Sequence, residues 1–189
     1  KQVSALVKSV NYQLYNISKI RKYITKSSCE LLVNAFVTSR LDYNNALLVG
    51  IPKYQMKRLK LLQNTAARII TQTARYAHIT PILKGLHWLP MEFRIDYKLA
   101  IMVFKCINNL APQYLCELLT PKVQRRALRS TATSANLLVV PLTKTNMGDK
   151  SFRYAGPKVW NQLPYHIRTE DSLTSFKKLL KTHFFKLAY

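Results

Sequence analysis

The chain has 189 residues, 48% of them hydrophobic, enough for a real core in one or two domains. Its 30 Lys and Arg stand against 8 Asp and Glu, a formal net charge of +22. Self-repulsion on that scale works against a compact state unless a polyanion neutralises it, so nucleic acid is the first candidate partner and an anionic membrane surface the second. No apolar run approaches the roughly 18 residues that a membrane-spanning helix requires. Cys29, Cys106 and Cys116 are scattered, without a Cys-x-x-Cys pair, and His78, His87, His166 and His183 have no zinc-knuckle spacing. They read as reduced thiols and ordinary histidines of an intracellular protein. The sequence starts at Lys1 with neither Met nor signal peptide and reads as an internal cut.

Residues 1 to about 26 predict one amphipathic helix, with Val3, Leu6, Val7, Val10, Leu14, Ile17 and Ile24 on one stripe. Lys8, Tyr12, Tyr15, Lys19, Lys22 and Lys26 form the opposite stripe. Cations interleaved with aromatic rings suit a surface that tracks a phosphate backbone; the competing reading is a solvated lysine face carrying two amphipathic tyrosines. Ser27 or Ser28 is expected to cap a second helix, with Glu30 near its positive end. Gly50 and Pro52 mark a stop and a new start.

From Pro52 to about Thr73 a third helix sets Met56, Leu59, Leu62, Ala66, Ile69 and Ile70 against Lys53, Lys57, Lys60, Asn64 and Arg68, with Arg75 just beyond. No acid lies between Asp42 and Glu92, so these cations are expected to lack local partners, which favours phosphate contact over plain solvation. Residues 78 to 90 read as a connector, in which His78 and His87 are hydrogen-bonding residues rather than ligands and Trp88 is an anchor. Pro90 opens a helix to about Leu110 whose apolar residues, Phe93 to Ile107, cover most of its circumference; a buried central helix is expected. Pro112 begins a short helix ended by Thr120-Pro121.

Residues 122 to 136 are basic and Ser/Thr-rich, and Arg125, Arg126 and Arg129 make them a candidate linker or ligand-ordered loop. A small β-hairpin or extended segment is expected near residues 137–146. In Asp149 to Pro164, Phe152 and Trp160 should anchor a core, Lys150, Arg153 and Lys158 should reach phosphate, and Gly156-Pro157 reads as a turn feeding a short helix. The last helix, about Leu173 to Leu187, is capped by Ser172 and presents Leu173, Phe176, Leu180, Phe184 and Leu187 on one side. The fold class is therefore mainly α, a helical bundle.

Site chemistry is sparse. The acids are spread out, and the one adjacent pair, Glu170-Asp171, is explained by a helix N-terminus, so carboxylates for two-metal phosphoryl transfer are lacking. Four glycines make no phosphate-cradling loop, and Cys106 and Cys116 have no evident His partner. The residues read as a binding or structural chain without catalytic site, metal or cofactor.

Several strings together resemble one family: SRLDYNNALLVGIP (39–52), LKLLQNTAARII (59–70), HITPILKGLHWLPMEFRIDYK (78–98), NLAPQYLCELL (109–119), LRS (128–130), LVVPLTKTNMGDKSFRYAGPKVWNQLP (138–164) and SLTSFKKLLKTHFF (172–185). They are similar to the region carboxy-terminal to the polymerase active site in reverse transcriptases of non-LTR retrotransposons, LINE elements of the jockey and chicken-repeat type. The resemblance covers nearly the whole chain, in order. It implies that residues 1–75 correspond to a thumb-like helical bundle, whose helices bracket template–primer duplex. Residues 76–189 correspond to a carboxy-terminal helical domain thought to help hold element RNA or target DNA. The implied partners are RNA or RNA–DNA duplex and an upstream palm, and the implied setting is a nuclear or cytoplasmic ribonucleoprotein. The family's palm motif, Phe/Tyr-Ala-Asp-Asp, is absent, so polymerase activity does not carry over. Asn44 stands where the family often has Cys, which weakens any role for a thiol there. Leu142 stands where it often has Arg, which removes one candidate phosphate contact.

Overall fold

Helix α1, Gln2–Ile20, forms on the expected stripe and buries Val3, Val10, Leu14 and Ile17. The computed structural model describes residues 2–122 and 136–189. The helix stops at Ile20, earlier than the periodicity predicts: Arg21–Tyr23 tighten into a 3₁₀ turn and Ile24 is extended. The cause lies in the next helix, α2, Lys26–Val33, whose N-cap is Thr25 rather than Ser27 or Ser28. A cap residue needs extended backbone, and the Thr25 hydroxyl accepts the Ser28 N–H at 3.1 Å. One π-helical turn, Asn34–Thr38, joins α2 to α3, Ser39–Asp42. Asn44 turns left-handed, a 3₁₀ turn covers Asn45–Leu48, and Gly50 at φ 67° delivers the chain to Pro52. The stop and start expected there are present, and α4 spans Lys53–Thr71.

Two sets of bonds fix the direction of these helices. Near the N-termini of α1 and α4, Arg58 donates to the Ser4 hydroxyl at 3.2 Å. At the other end, Arg21 donates from Nε to Ile69 O and from a terminal nitrogen to Ile70 O, both at 2.9 Å. The two helices therefore run parallel and pack on each other, and the α2–α3 rod returns against both, with Arg40 donating to Ser9 on α1. Arg21 caps the last turn of α4, where carbonyls lack intrahelical partners and the helix dipole favours a cation.

The stretch read as a connector holds a further helix, α5, Ile79–Gly85. His87 at φ 53° closes it, with Trp88 N–H bonded to Leu83 O at 3.0 Å, so a residue with no glycine signal performs the stop. Trp88 is half-buried, and its carbonyl accepts from the Tyr189 hydroxyl at 2.7 Å. Buried Gln63 donates to Leu89 O at 2.7 Å. Helix α6, Met91–Ile107, buries Met91, Ile95, Leu99, Ala100, Ile101, Val103, Phe104 and Cys106. Its burial is not complete, since Phe93 and Met102 are half-buried and Ile107 is exposed. The chain forms two compact units, Lys1–Arg94 with Ala188–Tyr189, and Ile95–Leu187.

In the second unit α7, Gln113–Cys116, is followed by α8, Phe152–Asn161, α9, Tyr165–Arg168, and α10, Leu173–Ala188. Gly156-Pro157 is not a turn. Both lie inside α8 and are buried. A Cβ on Gly156 would meet Val103 of α6 at 3.0 Å and the Phe152 ring at 3.4 Å, so glycine here permits close helix approach. Phe152 is half-buried, whereas Trp160 is buried and packs against Phe176 at 5.8 Å between ring centroids, with Phe104 stacked on Phe176 at 4.3 Å.

No hairpin occurs at 137–146; among the described residues strand structure reduces to one bridge between Pro121 and Leu138. Asn161 takes both backbone groups of Leu138, accepting its N–H at 2.9 Å and donating to its carbonyl at 2.8 Å. Those are the groups a second strand would need. The segment makes its one bridge at Leu138, where a side chain pins it, and bends from Lys144 on. Of the expected basic loop at 122–136, residues 123–135, with Arg125, Arg126 and Arg129, lie outside the described residues.

Candidate nucleic-acid interface

Helices α1, α4, α8 and α10 contain no Asp or Glu. On α1 the residues Lys8, Tyr12, Tyr15 and Lys19 are all exposed, one or two turns apart, opposite the buried Val10, Leu14 and Ile17. The Lys19 ammonium lies 5.1 Å from the Tyr15 ring centroid. Lys22 falls outside the helix, in the 3₁₀ turn, with its ammonium 4.8 Å from the exposed Tyr23 ring. Lys26 belongs to α2 and sits 4.0 Å from Glu30, an exposed pair of little energetic weight.

On α4 the expected basic stripe divides. Lys53 and Lys57 are exposed, as are Tyr54 and Leu61 beside them. Lys60 does have a local partner, contrary to expectation: Glu92, at the start of α6, lies 2.8 Å away. The sequence separation hid a contact that the fold makes. Arg68 is half-buried and donates to Ala77 O at 3.2 Å, while its Nε is buried with no hydrogen-bond partner among the described residues. Arg75 is exposed. Asp42 is bonded to Arg94 at 3.0 Å, so Glu30, Asp42 and Glu92, the acids of residues 1–94, each already face a cation.

In the second unit Lys150, Arg153 and Lys158 are exposed, and Lys158 lies 5.6 Å from the Tyr154 ring centroid. Sequence reasoning passed over the outer face of α10, where Lys177, Lys178, Lys181 and Lys186 are all exposed. The signal was available: the apolar stripe of that helix leaves Lys178, Lys181 and Lys186 away from it, with Lys177 at its border. It also passed over Arg21, Asn161 and Arg168, polar residues that act on backbone carbonyls. Arg168 is buried, donates to Leu163 O at 3.0 Å, and burial holds its guanidinium below the usual value.

The two buried thiols, Cys29 and Cys106, are poor nucleophiles. Burial pushes the Cys106 thiol up to about 11, with adjacent Cys116 adding to the effect, and burial also raises Cys29. Among the described residues no three of His, Cys, Asp and Glu converge as a metal centre would require, and no helix is long and apolar enough to cross a membrane. What the surface offers is ammonium and guanidinium groups with exposed phenol rings among them, a donor set for phosphate oxygens and flat π-faces. Comparison with models of protein families, with curated proteins and with solved structures finds no match.

Proposed function

We propose that the chain is a nucleic-acid-binding, non-catalytic part of a retrotransposon RNA-directed DNA polymerase, holding RNA or RNA–DNA duplex through Lys and Arg contacts to phosphate. The observation that carries this reading is the single sign of the exposed helix faces. A solvated face usually mixes charges, yet α1, α4, α8 and α10 have no acid, and the three acids of residues 1–94 are already paired. The polymerase assignment itself rests on the sequence resemblance, and with it goes an intracellular ribonucleoprotein setting.

The test is the salt dependence of RNA binding. Six phosphate contacts correspond to a log–log slope of about −4 on a single strand and about −5.4 on a duplex. Absent or salt-insensitive binding removes the proposal. A scaffold that packs against an upstream palm is the second reading, and the apolar surface of the α2–α3 region supports it: Leu31 is 69% and Leu47 72% exposed, with Phe36 and Tyr43 also open to solvent. Size-exclusion chromatography with and without RNA separates the two. A chain that self-associates regardless of RNA favours the scaffold, and a clean monomer that RNA shifts to a larger complex disfavours it.

A further inference from the structure

We infer that α1 carries a stacking site for unpaired nucleobases, formed by Tyr12 and Tyr15 between Lys8 and Lys19. This rests on the nucleic-acid reading above and narrows the ligand of that helix to single-stranded segments. The two rings are 64% and 59% exposed. Being three residues apart, they lie side by side on one face, with Cβ atoms about 5–6 Å apart. Their face is opposite Val10, Leu14 and Ile17, so neither ring has work in the core. The apolar side of α1, which a membrane-surface helix would insert into lipid, is already occupied by the bundle.

The charge pattern then selects the ligand. Lys8 and Lys19 bracket the rings, the ammonium of Lys19 lies 5.1 Å from the Tyr15 centroid, and α1 has no acid to repel a phosphate. From Lys8 to Lys19 the helix rises about 16 Å. That length follows several nucleotides of a strand. A duplex keeps its bases stacked inside and presents phosphates, which lysines and a tyrosine hydroxyl can meet but the flat faces of the phenol rings cannot use. A single strand exposes its π-faces, and stacking on an aromatic side chain is tolerant of sequence.

The experiment compares three probes by fluorescence anisotropy at one salt concentration: a 12-nucleotide oligouridylate, a 12-base-pair RNA duplex, and an abasic phosphate chain of the same length. Tyr12→Ala with Tyr15→Ala should weaken oligouridylate binding roughly 30-fold and duplex and abasic binding far less, by no more than the loss of hydroxyl contacts to phosphate. Tyr12→Phe with Tyr15→Phe should restore it, since stacking needs the ring and not the hydroxyl. Lys8→Gln with Lys19→Gln should weaken all three probes. Circular dichroism of each variant should match that of the parent. Equal loss on single strand and duplex, or no loss on the single strand, overturns the stacking site. If salt-dependent binding persists in that case, the broader nucleic-acid reading survives; if no probe binds the parent chain, both fall.

Discussion

At Trp160 and its neighbour Asn161 three constraints meet. Its ring packs on Phe176, its Nε1 donates to Asn136 O at 2.7 Å, and the next residue, Asn161, holds both backbone groups of Leu138. Trp160→Ala should destabilise the second unit by about 3–5 kcal/mol, read as a lowered urea midpoint by circular dichroism. Trp160→Phe should cost less, because most of the packing survives and only the indole bond to Asn136 is lost. An unchanged midpoint for the alanine variant would sink the anchoring role. Cys106 gives a prediction about pH. Its folded thiol is raised to about 11 from an ordinary 9.0 because burial favours the neutral form. Stability from that group is complete below about 9 and is lost as pH rises through about 11. Iodoacetamide at pH 8 should accordingly label half-buried Cys116 well before Cys106, with labelling of Cys106 rising only toward pH 11. Equal labelling of both at pH 8 contradicts it.

At the element scale, α4 separates cations that are free for a ligand from cations the fold already uses. Lys53→Glu with Lys57→Glu should weaken RNA binding about ten-fold or more while leaving the melting temperature nearly unchanged, since exposed side chains contribute little to stability. Lys60→Glu and Arg68→Glu should also lower the melting temperature: the first sets like charge against Glu92, the second removes the bond to Ala77 O and buries a carboxylate in its place. Identical melting shifts for the two pairs would show that the division is wrong. Arg21→Ala should release Ile69 O and Ile70 O and cost about 1–3 kcal/mol, and Arg21→Lys should recover only part, because an ammonium cannot reproduce the planar fork. Denaturation curves of the two variants measure it.

For the whole molecule, the formal charge of +22 is the dominant fact. Self-repulsion is relieved by any bound polyanion, so a single-stranded RNA in excess should raise the melting temperature by several degrees at low salt, and much less at high salt. Thermal scans at two ionic strengths test this, and a shift that ignores salt would point away from phosphate contact.

The helical character of the chain was legible from apolar periodicity alone, because burial of one stripe is what makes a helix stable in a protein. So were the Gly50–Pro52 break and the exposed Lys–Tyr stripe of α1. What escaped were features set by contacts distant in sequence or by residues without a strong signal. His87 and Asn109 adopt left-handed backbone that glycine usually marks. Gly156 looked like a turn but serves close packing against Val103, and Asn161 replaced a hairpin partner with a side chain. Lys60 seemed unpaired until the fold brought Glu92 beside it. By itself the sequence determined the helical class, the surplus of positive charge and which helix faces carry no acid, since these depend on composition and local spacing. Only the tertiary structure decided which cations remain free, because an ion pair or a cap depends on which chain segment lies within about 4 Å, and local spacing carries no record of that.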